Sequence, residues 1–231
     1  MSTFKLVTCR ELPIANIEGK YYLLDTLCPK SSLNGSIMID GSDFANSLDF
    51  RQNDEDERVS LTKKVGTRID GILGSDFLGN FFTIFDYRGG IFHISRHVRE
   101  FSGLKVNGLD AELKPIIKIS IDGEEKRVLL STGFGISYFS NICVSSNDWL
   151  LRDYHDSASL QVEHITDVFQ KEAFLGASRI NLRVAKNMPQ GLEGFLQEVN
   201  ADGIVGYDFL SQFRICLNPF DATFSVCGKT N

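Results

Sequence analysis

The sequence predicts an all-β protein assembled from two copies of one unit. Three observations carry that reading: an ungapped internal repeat, short runs of aromatic and branched residues between turn formers, and enough apolar residues for a core with no long apolar run. Of the 231 residues, 42% are hydrophobic, sufficient for one large all-β domain or two small ones. Eighteen phenylalanines against one tryptophan point to a Phe-rich core.

The repeat is the strongest of the three. Residues 68–95, RIDGILGSDFLGNFFTIFDYRGGIFHIS, align without a gap on residues 200–227, NADGIVGYDFLSQFRICLNPFDATFSVC. Asp70, Gly71, Ile72, Gly74, Asp76, Phe77, Leu78, Phe81 and Phe92 recur as Asp202, Gly203, Ile204, Gly206, Asp208, Phe209, Leu210, Phe213 and Phe224. A weaker pair lies upstream, where PIANIEGKYYLLDTLCPKSSLN from Pro13 matches PIIKISIDGEEKRVLLSTGFGISYFS from Pro115. Each has a strand, a Gly turn, a second strand ending in Leu-Leu, and then Asp-Thr or Ser-Thr. Asp25 and Thr26 therefore correspond to Ser131 and Thr132. The expected division is a first unit over 1–98, a linker over 99–113 that includes Gly103 and Gly108, and a second unit over 114–231.

The elements follow from local chemistry. Tyr21–Leu24, Phe82–Phe85, Ile91–Ile94 and Val128–Leu130 are aromatic and branched runs, which suit strands. Gly74 and Gly206 allow a strand to turn sharply into a short helix, expected over Ser75–Phe81 and Tyr207–Phe213. A further helix is expected over Asn147–Tyr154, with Ser146 as its cap. The acidic run Asp54-Glu55-Asp56-Glu57 reads as a solvated loop.

Charge and cysteine usage narrow the partners. The net charge is −6 and no basic stripe occurs, so nucleic acid is not expected. Cys9, Cys28, Cys143, Cys216 and Cys227 are far apart and odd in number, with no C-x-x-C. That pattern fits free thiols in a reducing, cytoplasmic setting better than a disulfide framework or structural zinc. Residues 1–19 lack the apolar stretch of a secretory signal, and no apolar run is long enough to span a membrane. His93 and His97 straddle a strand end and the linker, while His155 and His164 are isolated, so no metal and no cofactor are expected. Asp70, Asp76, Asp202 and Asp208 are expected to bond backbone N–H groups at turns and helix starts.

Together these motifs resemble the retropepsin-like aspartic proteases, whose unit runs hydrophobic-hydrophobic-Asp-Thr-Gly, then a flap, then hydrophobic-hydrophobic-Gly before a short helix. Asp70–Leu78 and Asp202–Leu210 are similar to the second part of that unit in bacterial and retrotransposon-type members. The resemblance covers nearly the whole chain, twice. It implies a bilobal, pseudo-twofold aspartic-protease fold with short helices and a cleft between the lobes. It places Asp25 and Ser131 at the two catalytic positions, Thr26, Thr132 and Gly133 as structural bracing of the site, and Leu27 on the cleft floor. The acidic run falls where the first flap belongs.

The chemistry that the resemblance implies needs one carboxylate from each half, one as base toward water and the other as acid toward the peptide carbonyl. This sequence departs from it in both copies. Leu27 stands where Gly is expected, and Ser131 stands where Asp is expected. A serine hydroxyl without a base does not titrate near neutral pH, and none of the four histidines lies in a motif that the repeat would bring to Ser131. The expected function is therefore binding of an extended peptide or protein segment without cleavage. The alternatives are an atypical active endopeptidase that uses Asp25 with a carboxylate from elsewhere, and a structural domain with a filled cleft. A monomer is expected, with a dimer as the arrangement that would supply a second carboxylate.

Overall fold

The computed structural model describes residues 1–33, 36–44, 51–52, 55–107, 114–144, 148–156 and 164–228. The chain is mostly β, as the sequence predicts. Its first half runs β1 (Ser2–Cys9), β2 (Leu12–Ile17), β3 (Lys20–Leu24), β4 (Ser32–Leu33), β5 (Met38–Ile39), β6 (Ser42–Asp43), β7 (Arg51–Gln52), α1 (Glu55–Val65), β8 (Gly71–Leu73), α2 (Ser75–Leu78), β9 (Phe82–Asp86) and β10 (Ile91–Ser95). The second half runs β11 (Leu104–Asn107), β12 (Ile116–Ile121), β13 (Glu124–Leu130), β14 (Tyr138–Phe139), β15 (Trp149–Asp156), β16 (His164–Leu175), β17 (Ser178–Ala185), α3 (Leu192–Glu198), β18 (Gly203–Val205), α4 (Tyr207–Leu210), β19 (Arg214–Asn218) and β20 (Thr223–Cys227).

The two halves share a set of equivalent pairings. Strand β3 pairs in parallel with β8, setting Tyr22, Leu23 and Leu24 against Gly71, Ile72 and Leu73. Strand β13 pairs in parallel with β18, setting Val128, Leu129 and Leu130 against Gly203, Ile204 and Val205. The next neighbour is antiparallel in both, with Ser32 opposite Ile72 and Tyr138 opposite Ile204. The rings that follow also match. Phe77 and Phe81 lie 4.9 Å apart at 44°, and Phe209 and Phe213 lie 5.2 Å apart at 42°.

Strands β9 and β19 join the halves into one 11-stranded sheet, ordered β11-β20-β19-β9-β10-β1-β2-β3-β8-β4-β7. Their register sets Ile84 opposite Cys216, its own counterpart in the repeat, with Thr83 opposite Leu217 and Phe85 opposite Ile215. The pairing is therefore symmetric about the Ile84–Cys216 pair. One buried cluster draws on both sides, including Tyr22, Phe77, Phe92, Val128, Phe209 and Phe224. A second sheet belongs to the second half alone, in the order β14-β18-β13-β12-β16-β15 with β17 on β16.

Four local expectations change. Residues 149–156 form a strand, not a helix: β15 pairs with β16 through two register shifts. Ser146 and Asn147 lie outside the described residues. The acidic run opens α1 rather than a loop. Asp56 stands in its first turn and Lys63 and Lys64 in the last turn, matching both ends of the helix dipole; Asp54 lies outside the described residues. The helices after Gly74 and Gly206 stop at Leu78 and Leu210. The segment expected as a linker contains β11, which pairs Leu104–Asn107 with β20 as β1 pairs Ser2–Lys5 with β10; Gly108 lies outside the described residues.

Candidate functional site

The ends of β3 and β13 carry the two Thr motifs to a common seam. Asp25 N–H donates to Leu73 O and Ser131 N–H to Val205 O, each at 3.0 Å. Each motif is thus anchored to the strand from its own half's Gly-Ile or Gly-Ile-Val segment. The seam itself is crossed by the threonines. Thr26 N–H donates to Thr132 Oγ1 at 2.9 Å, and Thr132 N–H donates to Thr26 Oγ1 at 3.2 Å. The Thr132 hydroxyl then donates to Leu24 O at 2.7 Å. Both threonines are buried, so these bonds form away from competing water. A small cavity walled by Phe85, Leu130, Leu210, Ile215 and Leu217 lies on the core side of them.

Asp25 faces the opposite half. A Cβ on Gly133 would lie 2.7 Å from the Asp25 carboxyl carbon and from both its oxygens, so only glycine admits the carboxylate there. Asp25 Oδ1 accepts the Leu27 N–H at 2.9 Å. Burial pushes the Asp25 carboxyl above its ordinary range, opposed by the Leu27 and Cys28 amides. This holds although part of the residue reaches solvent. Ser131 is fully buried, and its Oγ accepts the Gly133 N–H at 3.1 Å. Leu27 leaves its own half and packs against the second half's cluster of Leu129, Phe134, Ile136 and Tyr138.

The four repeated aspartates are structural, though their partners are mostly distant in sequence. Asp70 and Asp202, directly before β8 and β18, each bind an amide of the neighbouring strand: Tyr21 N–H donates to Asp70 Oδ2 at 2.9 Å and Arg127 N–H to Asp202 Oδ2 at 2.7 Å. Asp76 accepts the Ser31 hydroxyl at 2.6 Å, and Asp208 accepts the Ser137 hydroxyl at 2.8 Å. Ser31 and Ser137 each stand six residues after Asp25 and Ser131, a match in the sequence that the Asp-Thr and Ser-Thr motifs overshadow. Burial pushes the Asp208 carboxyl up to about 6, opposed by the Arg183 amide and the Ser137 hydroxyl.

A further cluster has no sequence signal, because Glu11 lies 143 and 172 residues from its partners Tyr154 and Arg183. Glu11, in the turn between β1 and β2, accepts the Tyr154 hydroxyl at 2.7 Å and the Arg183 guanidinium at 2.5 Å. Arg183 also donates to Gly135 O at 3.0 Å. A Cβ on Gly135 would come 2.7 Å from Glu11 Oε2 and 3.1 Å from Asp156 Oδ1. Asp156 accepts the buried Tyr138 hydroxyl. No group of three or more His, Cys, Asp or Glu residues among those described is arranged to hold a metal ion.

Neither a protein-family model nor a curated protein sequence matches the chain. No helix among the described residues is long and apolar enough to cross a membrane.

Proposed function

We propose that this chain is an aspartic-protease-like protein with a bilobal, pseudo-twofold fold that does not hydrolyse peptides and binds an extended peptide or protein segment along the seam beside Asp25. One observation carries the reading. The Thr26–Thr132 exchange joins two equivalent motifs across the seam, one presenting Asp25 and the other Ser131. Acid–base hydrolysis by paired carboxylates needs two groups whose pKa values are split by their closeness. Here one carboxyl faces a glycine, the equivalent position carries a serine, and a serine hydroxyl cannot take up the second role. Scaffold bonds are kept where the chemistry is reduced, which fits binding without turnover. An extended segment would gain affinity from main-chain hydrogen bonds and specificity from alternate side chains.

The packing of Leu27 against the second half's cluster favours a second reading, a structural domain whose seam is already filled. Two measurements separate these readings from each other and from an active endopeptidase. Incubation with an unfolded protein substrate between pH 3 and pH 7 should give no pepstatin-sensitive cleavage. Cleavage that disappears in Asp25→Asn would establish the endopeptidase instead. Fluorescence anisotropy with labelled extended peptides should show binding that Leu27→Trp abolishes and Leu27→Ala preserves or strengthens. Peptides that bind neither wild type nor Leu27→Ala would leave the structural reading.

A further inference from the structure

The turn between β1 and β2 is built at a cost and spends its side chains on distant partners. Cys9 pairs with Leu12, so Arg10 and Glu11 form a two-residue loop. Both have positive φ, +47° and +66°, a conformation that such loops normally assign to Asn-Gly or Asp-Gly. Arg10 ties the turn to its own half, donating to Lys64 O at 2.7 Å. Glu11 reaches the other half, where Arg183 and Tyr154 hold its carboxylate. The Glu11 and Arg183 side chains are only 26% and 25% exposed, so the pair is largely shielded from water.

This contact stands beside the seam. Ser131–Gly135 is a single five-residue stretch. Its Gly133 makes room for the Asp25 carboxyl and its Gly135 makes room for that of Glu11. Arg183 further binds Gly135 O and holds its own amide on Asp208, so the receiving side is fixed before Glu11 arrives.

We propose that the Arg10–Glu11 turn is a strap that closes one end of the seam, and that Glu11 occupies a carboxylate-binding site that an acidic residue of the bound segment takes over. The inference rests on the reading of the seam as a peptide-binding groove. Removing Glu11 would leave the shielded guanidinium with Gly135 O but without its ion-pair partner and the Tyr154 hydroxyl without its acceptor, which is unfavourable unless another anion replaces it. A neutral side chain does not meet that requirement, whereas a Glu or Asp side chain makes the same charge-assisted bonds. The site therefore selects for acidic segments once the strap has moved.

The test uses the full chain and two labelled peptide pools of about nine residues, randomised except for a central Glu in one and a central Gln in the other. Glu11→Gln keeps the turn and the Tyr154 bond while removing the charge that competes for Arg183. It should bind the Glu pool about tenfold more tightly than wild type, with no comparable gain for the Gln pool. Adding Arg183→Gln should erase that gain. Glu11→Ala, which removes the competing carboxylate altogether, should reproduce the gain, which guards against misfolding of the first variant, and adding Gly135→Ala, whose Cβ would lie 2.7 Å from the carboxylate position, should erase it. Equal gains for both pools, or a gain that survives Arg183→Gln, would overturn the strap while leaving a groove. Binding of neither pool to any variant would overturn the groove and the strap with it.

Discussion

Asp25 and Ser131 occupy equivalent positions with unequal chemistry, and the inequality can be measured. Introducing a carboxyl with Ser131→Asp sets two acids at the seam, and repulsion should raise one pKa well above the usual Asp value. An acid whose folded pKa is raised binds its proton more tightly folded than unfolded, so stability falls as pH rises through the interval between the two values. Wild type already has this sign at Asp25; Ser131→Asp should steepen the fall, and adding Asp25→Asn should flatten it. Thermal melts from pH 3 to pH 8 give the three slopes, and curves separated only by a constant offset would mean that the two positions do not interact. Asp208 offers a second titration. With its pKa at about 6, stability should decline between about pH 4 and pH 6, by roughly 3 kcal/mol at most. Asp208→Asn should remove that decline, whatever constant loss the altered Ser137 and Arg183 bonds add. Thr132→Val should cost roughly 2 kcal/mol or more in denaturant melts, because it strands the buried Thr26 N–H and Leu24 O. The meeting of Thr26 with Thr132 was legible because the repeat aligns their two motifs. Glu11, Tyr154 and Arg183 were not, since a bond between residues 172 apart leaves no local pattern.

At the scale of elements, the strand-to-helix corners are the most tightly specified features. Ser75 N–H donates to Cys28 O and Tyr207 N–H to Phe134 O, each at 2.8 Å. A Cβ on Gly74 or Gly206 would come 2.3 Å from those same carbonyl oxygens. The obstacle is backbone and cannot rotate away, so Gly74→Ala and Gly206→Ala should each cost about 3 kcal/mol, read as matched losses in urea melts. A large loss at one corner and none at the other would mean that the halves are not built alike there. These corners were readable in advance because glycine marks a close approach of backbone. Residues 149–156 misled because a charged, mixed segment beginning with Trp-Leu-Leu offers no clean period, and its strand pairs through two irregularities. The acidic start of α1 misled for a different reason. Four carboxylates in a row look solvated, yet negative charge at a helix start is favourable, and only the buried Leu61 and Val65 further along show which face packs.

For the whole molecule, the decisive element is the shared sheet. Because one core cluster and one sheet run through both halves, unfolding should be a single cooperative step. Fluorescence and far-ultraviolet circular dichroism should give coincident transitions, and a fragment ending at Arg99 should not fold alone. The all-β class and the twofold repetition were visible in the sequence. The joining register was not, because the sequence of β9 does not reveal that β19 will be its neighbour. That register has one more implication. Pairing Ile84 with its own counterpart Cys216, and Thr83 and Phe85 with Leu217 and Ile215, is the arrangement two identical chains would adopt across a dimer axis. In such a homodimer every inherited change is expressed on both sides at once. Fusing the copies ends that compulsion. One side can carry an aspartate where the other carries a serine, and one turn can carry a glutamate that only the opposite copy has the arginine to receive.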